Sequence, residues 1–248
     1  MRAPDWLTAR PVAHRGLHDR GKGVIENTLK AAQAAIDGNF TIELDLQLSA
    51  DGEAMVYHDH DLARLTDGTG LLRSRTAAEL KQLSFRGTPD RLPTFAEFLD
   101  LVGGRVPLLV ELKSFFDGDR ALIARAAKLL AAYRGPAAVM SFDPDVVAAI
   151  RALIPDRPRG ITAERRYDDS YWSPLPREKR DTMLYLRHGL RTQPHFVAYR
   201  VDDLPAPPPW IARNLFGCAL LAWTVRTPQQ RARAAAHADQ MIFEGFVP

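Results

Sequence analysis

Along the chain, short apolar and β-branched runs alternate with longer stretches in which apolar residues recur at helical spacing. The runs are PVAHRG, TIELDLQL, PLLVELK, AAVMSF, RGITAE, HFVAYRV, CALLAWTV and QMIFEG. Near-continuous apolar character over so few residues marks strands buried on both faces of a parallel sheet. Between them, NTLKAAQAAIDG, TFAEFLDLVGG, DRALIARAAKLLAAY, DPDVVAAIRALI and TPQQRARAAAHA carry the helical period. Thr76-x-x-Glu79 and Thr94-x-x-Glu97 each read as a capping box opening a helix. Repeating βα units of this kind predict an α/β fold, a (β/α)8 TIM barrel, with residues 1–248 forming one domain.

Two segments break the rhythm. After the second strand, Asp51-Gly52 signals a turn and AMVYH reads as a short strand folding back on its predecessor. The small insertion that results, roughly residues 49–93, is expected at the barrel's C-terminal rim. The second break is RRYDDSYWSPLPREKRD, read as a long polar, aromatic and proline-rich loop after the fifth strand. Its tyrosine and tryptophan either pack locally or shape a pocket.

Composition narrows the class. The 248 residues are 46% hydrophobic and 25% charged, ordinary for a globular protein, and no run approaches the length of a membrane span. The first residues lack an apolar leader core, and a single cysteine, Cys218, suits a reducing compartment, so a cytoplasmic protein is expected. The net charge of +3 comes with arginine outnumbering lysine, but no basic stripe interleaved with aromatics suggests nucleic acid. The oligomeric state is not readable.

The chemistry collects in the first half of the chain. Strand side chains alternate, so Glu43, Asp45 and Gln47 share one face while Ile42, Leu44, Leu46 and Leu48 share the other. Glu111 and Lys113 share parity in the third run. Glu43, Asp45 and Glu111 suit a hard divalent cation such as Mg²⁺ or Ca²⁺, which takes oxygen ligands; the alternative is a buried ion network with Arg15 and Lys113. His14 and His58 form a candidate proton-transfer pair flanking the acids. His14 and Arg15 are adjacent, so both can face one site only if the chain is already turning at Gly16. Arg15, a planar fork, and Lys113, a point charge, suit an anionic substrate, best a phosphate. Cys218 reads as a core residue, His18 and His60 as solvated loop residues, and His195 as structural; His188 and His237 carry no signal.

The segments AHRG, ENT, ELDLQLSADG, VYHDHDLARLTDGTG, LPTFAEFL and LLVELK, in that order and with fitting gaps, resemble the glycerophosphodiester phosphodiesterase family. The resemblance is dense over the first half and thin, through SFDP and AWTV, over the second. It implies a TIM barrel with a small insertion after the second strand, and hydrolysis of a small phosphodiester to glycerol 3-phosphate and an alcohol. It further implies Glu43, Asp45 and Glu111 as ligands of Mg²⁺ or Ca²⁺, and His14 and His58 as general acid and base. Arg15 and Lys113 would contact the phosphate, Glu26, Asn27 and Asp59 would support the site, and Trp223 would lie beside the glycerol moiety. Ile25, Arg226 and the ending IFEGFVP depart from the family's usual proline, asparagine and threonine-aspartate. These departures are expected away from the metal site, bearing on substrate preference. A lysophospholipid, phosphoinositide or sugar-phosphate diester is an alternative substrate, and a non-catalytic barrel holding a phosphorylated ligand is another reading.

Overall fold

The structure, a computed structural model, describes residues 2–168 and 171–248. Eight parallel strands close into a barrel: β1 (Val12–Ala13), β2 (Thr41–Leu48), β4 (Leu108–Leu112), β5 (Ala137–Ser141), β6 (Arg159–Ala163), β7 (Phe196–Arg200), β8 (Ala219–Val225) and β9 (Gln240–Phe243). β1 pairs with both β2 and β9, which completes the ring. All the expected strands are present. The fold-back is also present: β3 (Ala54–Val56) lies antiparallel on the end of β2, Gln47 opposite Met55.

Alternation along the strands divides the apolar residues into two layers. Ile42, Leu44, Val110, Val139, Val197 and Leu220 point outward into the main core, against the helices. Val12, Leu109, Ala138, Met140, Phe196, Ala198, Leu221 and Ile242 point inward and fill the barrel's lower half, with Leu7 of the N-terminal turn among them. The interior is thus a packed core rather than a channel. At β6 it leaves no room for a side chain: a Cβ on Gly160 would stand 2.2 Å from the ring of Phe196.

The helices are α1 (Leu29–Asp37), α2 (Ala77–Leu80), α3 (Phe95–Val102), α4 (Ala121–Ala132), α5 (Pro144–Leu153), α6 (Arg177–Leu184), α7 (Gly189–Thr192), α8 (Pro207–Phe216) and α9 (Pro228–His237). Both capping boxes form, Thr76 with Glu79 opening α2 and Thr94 with Glu97 opening α3. The insertion carries its own small core, with Met55, Tyr57, Leu62, Leu72, Phe85 and Leu92 fully or almost fully buried. No helix among the described residues is long and apolar enough to cross a membrane.

The expectations fell short in two places. The end of the expected loop RRYDDSYWSPLPREKRD is helical, because Pro176 precedes a run without breakers and α6 starts at once behind it. Residues 169 and 170 of that loop lie outside the described residues. The proline-rich stretch before Trp210, which lacks a clean helical period, opens α8: its prolines occupy the first turn, where the missing N–H has no partner to lose.

Gly160→Ala is expected to lower stability by about 1–3 kcal/mol, the usual range for forcing a methyl into a filled core. Denaturant unfolding measures it; an unchanged midpoint would mean that the ring of Phe196 yields freely.

Candidate active site

The inward column of each strand turns polar towards its carboxyl end. Continuing the alternation past the apolar layer reaches His14 after β1, Glu43 and Asp45 on β2, Glu111 on β4 with Lys113 just beyond it, Thr162 on β6 and Arg200 on β7. With Phe142, Trp223 and His58 these residues line one cavity of about 220 Å³. Strand periodicity and barrel closure therefore bring His14, Arg15, Glu43, Asp45, His58, Glu111, Lys113 and Trp223 to one cavity, whereas Glu26, Asn27 and Asp59 are not among its lining residues.

The centre is acidic. Glu43, Asp45 and Glu111 are buried and can each offer an oxygen such that all lie within 4.8 Å of one another. Asp45 stands beside Glu111 in the β2–β4 register. Lys113 Nζ lies 2.8 Å from Asp45 Oδ1 and also donates to Glu111. Asn27 Nδ2 donates to Asp45 Oδ2 at 2.9 Å, and Arg15 Nε lies 3.4 Å from the same oxygen. Burial works against charge on Asp45, but Lys113 and then His58 and Arg15 outweigh it and hold the carboxyl well below its ordinary range. Glu43 is treated differently: burial, then the neighbouring Asp45 and Glu111, push its carboxyl well above the ordinary range. Two cations thus face three acids, and Glu43 carries the unrelieved repulsion. An all-oxygen donor set with this spacing fits a hard divalent cation, whose charge would favour the ionised form of Glu43.

The turn after β1 settles how His14 and Arg15 share the site. Arg15 adopts φ 57° and Gly16 φ 79°, so the chain, which leaves β1 after Ala13, is already turning when it reaches Gly16, as a shared site requires. The Arg15 backbone N–H then donates to Glu43 Oε2 at 2.9 Å, and its guanidinium reaches Glu26 at 2.6 Å. Gly16 cannot be replaced, since a Cβ there would sit 2.8 Å from the carbonyl carbon of Ala31. Asn27 is likewise left-handed at φ 59°, its N–H bonded to Arg15 O at 2.9 Å.

Each histidine is held by a carboxylate. His14 Nδ1 bonds Glu244 Oε2, leaving Nε2 3.9 Å from Glu43. Burial draws the His14 pKa down to about 4 against the upward pull of Glu244, and a hydrogen bond from a neutral ring to that carboxylate requires the Nδ1–H tautomer. His58 Nδ1 bonds Asp59 Oδ1 at 2.7 Å. Asp59 is bound in turn by Arg64, and Arg64 bonds Glu26 at 2.8 Å. A continuous network therefore runs from Asp45 through Arg15, Glu26, Arg64 and Asp59 to His58. Gln47, on the same face as the acids, ties the His58 loop to β2 by donating to Tyr57 O at 3.0 Å and also to Asp59 O.

A sequence model described as the glycerophosphoryl diester phosphodiesterase family matches residues 14–245. The chain belongs to that family. Its similar relatives include a glycerophosphodiester phosphodiesterase of Caldanaerobacter subterraneus subsp. tengcongensis, 38% identical over 42% of this chain and 44% of the relative. Another, from Bacillus subtilis, is 32% identical over 63% of this chain and 59% of the relative. The matched part spans about half the length of these curated relatives. Among solved structures, an Oleispira antarctica phosphodiesterase in complex with the product sn-glycerol-3-phosphate superposes with a TM-score of 0.75 at 22% identity. That match covers 94% of this chain and 91% of the other, and it shows the shared fold.

In this glycerophosphoryl diester phosphodiesterase family member, one expectation needs correcting. Two of the departures were expected away from the acids, yet Glu244 and Arg226 stand at the site: Glu244 holds His14, and Arg226 Nε bonds Glu244 Oε1 at 2.6 Å. His14, then His18 and Arg226, offset burial and hold the Glu244 carboxyl far below its ordinary range. Glu244 continues the inward parity of Gln240 and Ile242 one residue beyond β9, but only closure of the barrel brings it to His14. His18, expected in solvent, has Nε2 3.5 Å from Glu244. His60 bonds Gln47 at 3.1 Å and stacks on Phe115 at 4.1 Å. Trp223 points inward, its indole donating to Ala198 O at 3.0 Å. Cys218 is buried as expected.

Glu43→Gln separates the two readings of the acidic cluster. The chelator-treated variant is expected to melt no lower than its parent, because a repelled charge is removed. The parent should gain about 2.7 kcal/mol from Ca²⁺ or Mg²⁺ at a hundredfold excess over Kd, and the variant much less. A chelated variant melting several degrees lower would show that Glu43 serves as a charged partner of Arg15 instead.

Proposed function

We propose that the protein hydrolyses glycerophosphodiesters to glycerol 3-phosphate and an alcohol with a divalent cation bound, residues 1–248 acting as one catalytic domain. The observation that carries this reading is the pair of carboxylate-braced imidazoles, His14 with Glu244 and His58 with Asp59, set around the buried Glu43, Asp45 and Glu111. Bound by those three acids, Mg²⁺ or Ca²⁺ supplies positive charge that offsets the charge building on the phosphoryl oxygens.

The chain's own groups do the rest. Arg15 and Lys113 stand on the cavity wall and receive the phosphate, the fork of one matching two oxygens and the ammonium of the other acting as a point charge. Each histidine has Nδ1 anchored, which leaves Nε2 as the nitrogen that handles protons. One imidazole takes the proton from the attacking oxygen and the other gives one to the departing alkoxide. Glu244 and Asp59 are positioning residues: each fixes a ring's tautomer and tilt. Trp223 supplies an apolar wall for the bound diester. The sn-glycerol-3-phosphate held by the Oleispira antarctica phosphodiesterase is the product expected here.

Release of glycerol 3-phosphate from glycerophosphocholine tests the reading. Activity should disappear with chelator and return with Mg²⁺ or Ca²⁺; equal rates in both conditions would remove the cation from the scheme. His14→Ala and His58→Ala should each lower kcat by roughly 10²–10⁴-fold.

The positioning role of Glu244 has its own signature. Glu244→Ala should lower kcat by about 10–100-fold with KM little changed, the range seen when the partner of a working group is removed. A rise in KM at constant kcat would place Glu244 in substrate binding.

A further inference from the structure

Beside the catalytic cavity lies a second lobe of about 380 Å³, and the two share the lining residues His58, Glu111, Lys113, Phe142 and Trp223. The lobes differ in chemistry. The catalytic side is rimmed by Arg200, Asp202, Thr224 and Arg226, all able to meet hydroxyl groups. The second lobe is walled by Phe116, Phe142, Trp172 and Trp223, with Tyr171 beyond them. Their rings form a connected set: Phe142 lies 5.5 Å from Trp223 and 5.4 Å from Trp172, and Phe116 lies 5.8 Å from Trp172.

Phe116 occupies this wall in a left-handed backbone conformation, φ 58°. A large aromatic residue there costs about 1–2 kcal/mol, and such strain gathers where a site needs a side chain placed. The turn is braced: the Phe116 N–H donates to Ser114 Oγ at 2.9 Å, and Ser114 Oγ donates to Asp143 at 2.7 Å. Among the lining residues, the carboxyl groups of Asp59, Glu111 and Glu164 stand against the ammonium of Lys113, and Lys179 Nζ lies 4.9 Å from the centre of the Phe116 ring. Glu164 is buried, accepting from the Trp172 indole at 2.8 Å and from Arg200 at 3.1 Å.

We propose that this aromatic lobe holds the alcohol arm of the diester and selects a quaternary ammonium, the trimethylated head of a choline-type alcohol; the proposal rests on the phosphodiester reading above. A quaternary ammonium donates no hydrogen bond, so the acids can keep their existing partners while its charge meets ring faces and nearby carboxylates. A primary ammonium brings three donors that must exchange water for acceptors. A glycerol or inositol arm would bury hydroxyls against rings. The hydroxyl-bearing glycerol of the substrate is left to the polar lobe, with Trp223 bordering both.

Steady-state kinetics of the cation-loaded protein decide this. kcat/KM for glycerophosphocholine should exceed that for glycerophosphoglycerol by about tenfold, and that for the neutral 3,3-dimethylbutyl analogue by a similar factor. Phe116→Leu should reduce the choline-to-glycerol ratio about fivefold or more, with Phe142→Leu as a second wall variant should the first fail to fold. Equal values for the choline and dimethylbutyl diesters would overturn the charge selection and make the lobe an alkyl site. Equal values for the choline and glycerol diesters would overturn the lobe assignment while leaving phosphodiester hydrolysis in place. No turnover of any of the three would overturn both readings.

Discussion

The structure depends on how a barrel mouth tolerates three carboxylates buried side by side. Asp45 and Glu111 are register partners on adjacent strands, and Glu43 stands one inward step below Asp45. In water such neighbours would repel weakly; with solvent excluded the same repulsion grows several-fold. The fold answers with Lys113 two residues beyond Glu111 on the same face, with Arg15 from the turn after β1, and with the Asn27 amide. Those groups satisfy Asp45 and leave Glu43 resisting ionisation. Keeping Glu43 neutral lets two cations balance the other two acids, and a further positive charge at the cluster would favour its ionised form.

Much of this was legible because strand alternation is a strict rule. Glu43 with Asp45, and Glu111 with Lys113, could be assigned to one face from spacing alone, and the neighbouring places of β2 and β4 follow from the order of the parallel strands along the chain. The fold-back of β3 was readable from Asp51-Gly52 and the short run after it. Other features depend on closure, which no local pattern reports. Glu244 lies 230 residues from His14, and only the pairing of β1 with β9 brings them together. Arg64 sits in an insertion loop whose path is set by its own small core, so its bridge from Glu26 to Asp59 has no signal in spacing. Local packing of the tryptophan in the polar loop was one of the two sequence readings, and Trp172 is buried against Tyr167 of its own loop; its contact with Phe142, which follows β5, has no signal in the sequence.

Strain is distributed to match. Among the described residues, Arg15, Asn27 and Phe116 are non-glycine residues in the left-handed region that border the site. Each is braced by a hydrogen bond from its own backbone N–H: to Glu43, to Arg15 O and to Ser114 Oγ. The strands beneath carry no such exceptions, and their interior is filled by ordinary apolar side chains. A rigid lower barrel thus supports a rim whose turns hold conformations that the local sequence disfavours, and the rim is where the polar side chains converge.

The two histidines are built into this arrangement differently. His58 is anchored locally: Asp59 is its sequence neighbour, and Gln47 fixes the loop to β2. His14 is anchored globally, because Glu244 follows the last strand and reaches His14 only when β9 has docked on β1. β1 is just two residues long, so its place depends on both flanking strands rather than on its own pairing. The brace on His14 is therefore a property of the closed barrel, whereas the His58 loop can keep its geometry as long as β2, β3 and the insertion stay packed. Loosening the β1–β9 seam would release the brace on His14 before it disturbed the His58 loop, because the first rests on a contact 230 residues apart and the second on a sequence neighbour.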